Sequence, residues 1–198
     1  MRTRQRTAIL VEQRAARDRA EAYHDARALA IELARGEPTA RFDPMRAGVV
    51  LQPGETVYRQ VQLWIRVQQD GRWAAASYAD VLVTDRRLLC KFASGRLFSL
   101  WWGGLTGISV DLAAEHIVLD YGDRQPVSLS GAQVAVVSVA AIASVYGIQA
   151  LLGHPALATM RTRAPTSTER HTSGSHRRKP EPENSDTRAP RRSKRDGS

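Results

Sequence analysis

Residues 56–73 read TVYRQVQLWIRVQQDGRW, and their pattern is the clearest indication of the fold. Apolar and polar side chains alternate along it, as they do on a β-strand with one buried face. Asp70-Gly71 then favours a tight hairpin turn, because both residues tolerate a positive φ. The stretch therefore predicts a long strand that is buried on one side and turns back sharply. The apolar residues on the predicted buried face are Val57, Val61, Leu63, Ile65 and Val67.

Short alternating runs continue as far as residue 130, separated by turn residues such as Ser94-Gly95 and Gly122-Asp123. Together with the first strand they make about seven strands, and short strands at regular spacing are typical of a β-sandwich or barrel. The later runs cover residues 73–84, 86–92, 96–102, 107–111, 115–121 and 126–130.

Residues 131–152 are predicted to form a helix directly after the last strand. The 21 residues from 132 to 152 carry no charge, which is about the length that a membrane-spanning helix needs. Their strongest apolar side chains fall on one stripe, however, and Ala140 and Ser144 lie on the opposite side. One-sided spacing is typical of a helix that docks on a protein core, so a transmembrane helix is not expected. The stripe consists of Val134, Val137, Ala141, Val145, Ile148 and Leu152.

Both ends of this helix carry recognisable signals. Ser130-Gly131-Ala132-Gln133 fits a capping box, in which the Ser hydroxyl and the Gln amide bind backbone N–H groups of the first turn. Gly153, followed by His154-Pro155, is a stop signal, because Gly tolerates the left-handed cap and Pro cannot continue a helix.

The N-terminal segment, residues 1–36, is predicted to be one long helix, followed by a linker over residues 37–46. It is rich in Ala, Arg and Glu, and Gly36 with Pro38 behind it ends the helix. Such a helix can dock on the domain or pair with a second copy, so a homodimer through it is one of the partners we consider. Its apolar face consists of Ala8, Val11, Ala15, Ala22, Ala26, Leu29 and Leu33.

Positive charge is concentrated at the other end of the chain. The formal net charge is +9, and residues 161–198 alone hold 11 basic and 5 acidic residues and no aromatic one. We therefore predict a basic disordered tail over residues 156–198. Its cations can attract phosphates through counterion release, so an alternative function is weak contact with nucleic acid or an anionic membrane. The two basic clusters contain Arg177, Arg178, Lys179, Arg191, Arg192, Lys194 and Arg195.

The strand region carries five local motifs in order: LQPGE at 51–55, VTDRRLL at 83–89, WWGGLTGISVD at 101–111, IVLDYGD at 117–123 and VSLSG at 127–131. With the helix that follows them, residues 47–155 resemble the bacterial pleckstrin-homology-like (PH-like) and GRAM-like domains. The resemblance implies an α+β fold, in which a barrel of about seven antiparallel strands is capped by a C-terminal helix. It also implies a small binding or scaffolding module rather than an enzyme.

The predicted contact surface lies on the outer face of the first hairpin and on the loops at the open end of the barrel. If Leu63 and Ile65 face the core, Trp64 and Trp73 lie together on the outer face and form an apolar patch. We expect the N-terminal helix or a second subunit to cover this patch. The other members of the surface are Arg66, Arg72, Arg86 and Arg87.

The arginines of this surface limit the choice of ligand. PH domains that grip phosphoinositides resemble one another in a dense Lys/Arg cluster around the first hairpin, whereas this hairpin offers only Arg66 and Arg72 beside Asp70. Tight phosphoinositide binding is therefore not expected. Arg86 and Arg87 are expected to project on opposite faces of their strand, after a turn that is capped by the carboxylate immediately before them, Asp85.

No catalytic or metal site is predicted. The sequence lacks the G-x-S-x-G, H-E-x-x-H, C-x-x-C and Walker A patterns. The single cysteine, Cys90, excludes a disulfide scaffold, and its position in the strand is that of a small buried residue. Asp111 and His116 are expected to face each other across a hairpin as a structural pair, since a metal needs three converging ligands. No cofactor is expected.

Taken together, the patterns and the resemblance predict a cytoplasmic, non-enzymatic binding or scaffolding module. Its partner is expected to be a protein or the surface of a membrane. In the alternative, the basic tail itself binds nucleic acid or an anionic membrane.

Overall fold

The computed structural model of the chain describes residues 2–37 and 42–162. Its strands are β1 (Val57–Gln69), β2 (Arg72–Trp73), β3 (Ser77–Thr84), β4 (Arg87–Phe92), β5 (Leu97–Trp101), β6 (Gly107–Asp111), β7 (His116–Asp120) and β8 (Val127–Ser130). Its α-helices are α1 (Arg2–Arg35), α2 (Pro44–Ala47), α3 (Val134–Tyr146), α4 (Ala150–Gly153) and α5 (Ala158–Thr162), and single 3₁₀ turns lie at Trp102–Gly104 and Pro155–Leu157.

The described strands form one antiparallel sheet in the order β5-β4-β3-β1-β8-β7-β6, and the short β2 pairs with β1 alone. The central strand, β1, is 13 residues long and joins the two halves of the sheet. Ile65, for example, lies opposite Ser77 of β3 and Leu129 of β8. The α+β fold class expected of a PH-like barrel, with a long N-terminal helix and a helix after the last strand, is confirmed.

The first hairpin follows the sequence prediction closely. Asp70 and Gly71 have φ values of +48° and +76°, which is the backbone conformation that a two-residue hairpin turn requires. The predicted strand over residues 73–84, by contrast, is divided into β2 and β3, because residues 74–76 leave the ladder. Every other predicted strand appears within about one or two residues of its expected ends.

The helix expected over residues 131–152 is shorter, and its first nine residues are buried on all sides. It begins at Val134 and ends at Tyr146, where Gly147 has a φ of +83° and separates α3 from α4. Every residue from Val134 to Ile142 is buried, including Ala140, which lies on the side opposite the predicted stripe. Burial on one side alone is therefore wrong for this part of the helix, because α3 packs against the sheet and also against α1. Ile148 and Leu152 of the stripe lie beyond α3 and are exposed. In the described part of the chain, no helix is long and apolar enough to cross a membrane.

The predicted capping box is also wrong. Gln133 occupies the N-cap position of α3, and no side chain caps the helix there. The first turn is closed instead by the backbone, since Val134 N–H donates to the carbonyl of Gly131 at 3.0 Å. The Gln133 Oε1 atom is left buried without a hydrogen-bond partner among the described residues.

Helix α1 divides into two halves with different surroundings. Its second half docks on the domain, and Ala22, Ala26, Leu29 and Leu33 of the predicted apolar face are buried. The first half is exposed from Arg6 to Asp18, so Ala8, Val11 and Ala15 of the same face have no cover in the described structure.

Polar contacts hold the docked half of α1 in place. Arg59 of β1 lies 2.7 Å from Asp25 and 2.8 Å from Glu32. The Tyr23 hydroxyl donates to the carbonyl of Leu112 at 3.1 Å, and Arg19 pairs with Glu115. These contacts anchor the helix to β1 and to the loop between β6 and β7.

The segments that flank the predicted barrel are more ordered than the sequence suggested. The linker expected over residues 37–46 contains the start of α2, which is capped by the Asp43 carboxylate. After α4 the chain continues to pack, with Leu157 and Met160 buried, so a tail beginning at residue 156 is wrong. The basic clusters predicted in the tail lie outside the described residues.

Candidate functional site

A cavity of about 980 Å³ opens between β5 and the loop that joins β7 to β8. We call it the mouth cavity. It lies where the inner faces of the two sheet halves separate, because β5 and β6 are the two ends of the strand order and do not pair. Its apolar wall contains Ile65 and Val67 of β1, Phe92, Phe98 and Leu100 of the β4–β5 hairpin, and Val127 of β8.

The sheet register turns these apolar side chains inward. Phe98 lies opposite Cys90, and Leu100 lies opposite Leu88; both partners are fully buried. Residues directly opposite each other share one face of a sheet, so Phe98 and Leu100 also face the core. Phe98 is nevertheless 37% exposed, because β5 is an edge strand and no further strand closes the space in front of it.

Tyr121 lies at the base of the cavity and has an unsatisfied hydroxyl. The residue is 8% exposed, and its hydroxyl oxygen is buried without a hydrogen-bond partner in the described structure. Burial raises the pKa of this hydroxyl above its usual range. The ring packs close to Gly104, where an added Cβ atom would lie 3.4 Å from Cδ1 of the ring. A buried hydroxyl without a partner costs free energy, so this side chain is an exception among the buried polar groups.

Two arginines and one aspartate stand at the rim. The Arg96 guanidinium lies 5.0 Å from the centre of the Phe92 ring, a cation–π contact that leaves its N–H groups free for another partner. Within the described residues, neither Arg96 nor Arg124 forms an ion pair, and Asp123 is the one carboxylate among the residues that line the cavity. The rim therefore has a small excess of positive charge.

Arg87, predicted as a contact residue, is buried and structural. Its Nε and Nη2 atoms donate to the two carboxylate oxygens of Glu55, each at 2.9 Å, and its guanidinium lies 4.5 Å from the Trp101 ring centre. Burial alone would raise the pKa of the Glu55 carboxyl, but hydrogen bonds from Arg87, from the Gln52 N–H and from Thr84 together lower it. Arg87 is thus committed to this ion pair and is removed from the contact surface.

The neighbouring turn also differs from its prediction. Thr84, rather than Asp85, caps the turn, because the Thr84 hydroxyl accepts from the N–H groups of Arg86 and Arg87 at 3.1 and 2.9 Å. The Asp85 carboxylate accepts instead from the N–H of Thr56 at 2.9 Å. Arg86 is exposed, and its guanidinium donates to the Gln52 side chain and to the Pro53 carbonyl.

The outer face of the first hairpin is exposed as the sequence predicted. Trp64 is 48% exposed and Trp73 is 40% exposed, and Arg66 and Arg72 are exposed beside them. Trp64 packs on Tyr78, with ring centres 5.0 Å apart. Helix α1 does not cover the two tryptophans, because it docks on α3 instead, so that part of the expectation is wrong for a single chain.

The hairpin of Asp111 and His116 has the predicted register but not the predicted pair. The two residues lie opposite each other, and residues 112–115 form the loop between them. The Asp111 carboxylate accepts from the N–H groups of Ala113 and Ala114, whereas His116 contacts the Ser128 hydroxyl at 2.7 Å. Across residues 2–37 and 42–162, no group of three His, Cys, Asp or Glu side chains is placed to hold a metal.

Cys90 is fully buried, as its position in the strand suggested. Burial raises the pKa of its thiol to about 12, so the thiolate that would act as a nucleophile or ligand is not populated near neutral pH.

The sequence interpretation placed the contact surface near the open-end loops but did not identify the cavity residues. Phe98, Tyr121, Arg96 and Arg124 were not singled out, because they belong to two hairpins that are distant in the sequence. One signal could have indicated these residues. Strands β1, β4 and β7 run in the same direction in this antiparallel sheet, so the loops that follow them lie at the same end of it.

No protein-family model matches the chain, and no curated protein matches it significantly. Among solved structures the chain is similar to the N-terminal PH domain of Vps36, with 14% identity over 52% of this chain and 86% of that one and a TM-score of 0.39. It is also similar to the C-terminal domain of an unknown protein from Leishmania infantum, with 15% identity over 47% of this chain and 85% of that one and a TM-score of 0.34. Neither likeness carries a ligand or a partner over to this chain.

Proposed function

We propose that this chain is a non-enzymatic binding module whose partner docks at the mouth cavity. The observation that carries the proposal is the cavity itself, with about 980 Å³ of space that opens between two halves of one sheet. A concave site of this size, with an apolar wall and polar groups beside it, suits a small ligand or the anchoring side chains of a larger partner.

The polar groups of the cavity support a ligand with both an apolar and an anionic part. The Tyr121 hydroxyl lacks a partner, and Arg96 and Arg124 stand at the rim without an ion pair among the described residues. An anionic group near the rim would gain charge-assisted hydrogen bonds from the two guanidinium groups. An apolar group below it would contact the wall formed by Phe98 and Val127.

The same lining supports binding rather than catalysis. The described residues that line the cavity include a single carboxylate, Asp123, and no His, Cys or Lys. Covalent catalysis needs a nucleophile within reach of a base, and general acid–base catalysis needs a group that titrates near neutral pH. The lining offers neither arrangement.

Anilinonaphthalene sulfonate tests this proposal, because it combines aromatic rings with one anionic group. We expect the full-length chain to bind it at one saturable site, measured by fluorescence titration. Phe98→Asp is expected to weaken binding about tenfold, since a carboxylate in the apolar wall must be desolvated when the dye binds. Tyr78→Asp is the matched control, because Tyr78 is an exposed aromatic residue on the outer face of β3, two strands away from β5 in the sheet.

Equal loss of dye binding in the Phe98 and Tyr78 variants would contradict the proposal. So would full retention of binding in Phe98→Asp, since the dye would then occupy another surface.

The basic tail supports a second candidate function, attraction to nucleic acid or to an anionic membrane. Residues 161–198 carry 11 basic and 5 acidic residues. Binding of this kind falls steeply as salt is raised. The test compares the full-length chain with a variant in which the seven cluster residues from Arg177 to Arg195 are changed to Gln, using duplex DNA and anionic liposomes. Loss of binding in the variant would support this candidate, and unchanged binding would exclude it.

A further inference from the structure

We infer that the free edge of β5 accepts an extended peptide segment of a protein partner, in which an acidic residue stands two positions from an apolar one. The inference rests on the proposed function and deepens it, because it names what enters the mouth cavity. The observation behind it is a juxtaposition: an unpaired strand edge lies directly beside an open apolar cavity.

Two backbone hydrogen bonds fix which groups of β5 bond to β4. The Phe92 N–H donates to the carbonyl of Arg96, and at the other end the Trp102 N–H donates to the carbonyl of Arg86; both distances are 3.0 Å. In an antiparallel ladder, alternate residues of a strand bond to the same neighbour. The even-numbered residues of β5 therefore bond to β4.

The odd-numbered residues of β5 point their backbone groups the other way. Phe98 and Leu100 use their N–H and C=O groups in the ladder with Cys90 and Leu88. No described strand pairs with β5 on its other side. The N–H and C=O groups that face this open side belong to Leu97, Ser99 and Trp101.

The β5 edge lacks the features that protect edge strands in natural proteins. Its sequence, Leu-Phe-Ser-Leu-Trp, contains no charge and no proline, and its register with β4 shows no bulge. Leu97 is 46% exposed and Phe98 is 37% exposed. The opposite edge strand, β6, begins with Gly107 and ends with Asp111. Unprotected edges pair with another strand, so β5 is the edge where strand addition is favoured.

A strand added to β5 would place every second side chain over the mouth cavity, because side chains alternate along a strand. One apolar side chain can then enter the space in front of Phe98 and Leu100. A carboxylate two positions away remains on the same face, near the rim that holds Arg96 and Arg124. Main-chain hydrogen bonds supply affinity in this mode of recognition, and the pocket supplies specificity.

Charge and chemistry favour this occupant over the alternatives. The chain's own tail carries 11 basic and 5 acidic residues, so its charge has the same sign as the rim arginines. A lipid surface has no row of backbone N–H and C=O groups to match those of β5. A peptide with a carboxylate supplies both the backbone and the complementary charge.

The experiment begins with a displayed library of random heptapeptides selected on the immobilised full-length chain. We expect the enriched peptides to carry Asp or Glu two positions from an aliphatic or aromatic residue. Their affinities are then measured for two variants of one position. Leu97→Pro removes an edge N–H that β4 does not use, and Pro is tolerated on edge strands. Leu97→Thr keeps that N–H and serves as the matched control.

Binding is expected to weaken about tenfold in Leu97→Pro and to change little in Leu97→Thr, since the proline removes one main-chain hydrogen bond and its ring displaces the next. Arg124→Glu is expected to weaken the acidic peptides and to favour basic ones. Amide hydrogen exchange on the unmodified chain gives a readout that does not depend on the variants. The bound peptide should slow exchange at Leu97, Ser99 and Trp101, with little change at Phe98 and Leu100.

Three results would overturn the inference: no enriched peptide, a consensus without acidic residues, or peptides that leave exchange at Leu97, Ser99 and Trp101 unchanged. If the peptides bind the Phe98→Asp chain weakly but bind the Leu97→Pro chain normally, strand addition is wrong and the mouth cavity is still the binding site. Peptides indifferent to both variants would count against the proposed function as well.

Discussion

The ion pair between Arg87 and Glu55 is the most deeply buried ion pair in the described structure. The Glu55 side chain is fully buried, and that of Arg87 is 10% exposed. Glu55 also accepts from the Gln52 N–H and the Thr84 hydroxyl, while Arg87 also donates to the Ser99 hydroxyl and the Val50 carbonyl. The pair therefore ties the segment before β1 to the hairpin of β4 and β5, which forms one wall of the mouth cavity.

Removing one member of this pair is expected to destabilise the fold strongly. Arg87→Met leaves the Glu55 carboxylate buried without its cation, which costs about 3–5 kcal/mol of the free energy of unfolding. Arg86→Met is the matched control, because Arg86 is exposed and its loss should cost about 1 kcal/mol or less. Urea unfolding of both variants measures the difference. Equal destabilisation would show that the buried pair is not a principal support.

The same pair gives the stability a defined dependence on pH. The pKa of the Glu55 carboxyl is lower in the folded chain than its reference value of 4.5. A carboxyl of this kind stabilises the fold at pH values above its unfolded pKa, and the contribution is lost as the pH falls through its folded pKa. We expect the urea midpoint to fall on acidification below about pH 4.5. Glu55→Gln should flatten this dependence, and an unchanged slope in that variant would contradict the assignment.

At the scale of elements, α1 and α3 depend on each other. Helix α3 is apolar on all sides from Val134 to Ile142, so the sheet alone cannot bury it. Leu29 of α1 is fully buried in the same core cluster. The N-terminal helix is therefore part of the core and not an appendage to the barrel.

A pair of leucine variants within α1 tests this dependence. Leu29→Ala is expected to lower the free energy of unfolding by about 2–5 kcal/mol, because it opens a cavity in the core. Leu10 lies in the exposed half of the same helix and is itself 65% exposed. Leu10→Ala is therefore expected to change the free energy of unfolding by about 0.5 kcal/mol or less. Thermal or urea unfolding measures both variants. A small change in the free energy of unfolding for Leu29→Ala would show that α1 contributes little to the stability of the core.

The sequence predicted those elements whose signals are local. The alternation from Val57 to Val67 and the turn at Asp70-Gly71 reflect the periodicity of a strand and the φ of two residues, so both were predictable. The burial of Ala140 was not predictable, because α3 packs against α1 as well as the sheet, and the spacing of its residues does not reveal this second neighbour.

The cavity could not be predicted from the sequence, for a related reason. Tyr121 and Phe98 line one cavity because the strand order leaves β5 and β6 unpaired, and no local pattern encodes that gap. Arg87 was misplaced because the sequence marks it as a charged strand residue and does not reveal that Glu55, 32 residues earlier, lies beside it.

At the scale of the whole molecule, the described residues divide the surface into distinct regions. The mouth cavity lies at one end of the sheet, the exposed aromatics Trp64 and Trp73 lie on its outer face, and the first half of α1 is exposed from Arg6 to Asp18. Of these three described regions, the cavity is the one that combines a concave shape, an apolar wall, a buried unpaired hydroxyl and a charged rim. We therefore assign binding to the cavity, and a second subunit on the tryptophan face is a separate proposal.

The central claim, that the partner docks at the mouth cavity, is tested most directly by amide NMR spectra of the full-length chain titrated with anilinonaphthalene sulfonate. We expect the shifts to concentrate in residues 65–69, 92–101 and 121–127, which contribute to the lining of the cavity. Shifts confined to residues 62–64 and 73–80 on the outer face, or to the tail after residue 162, would contradict it.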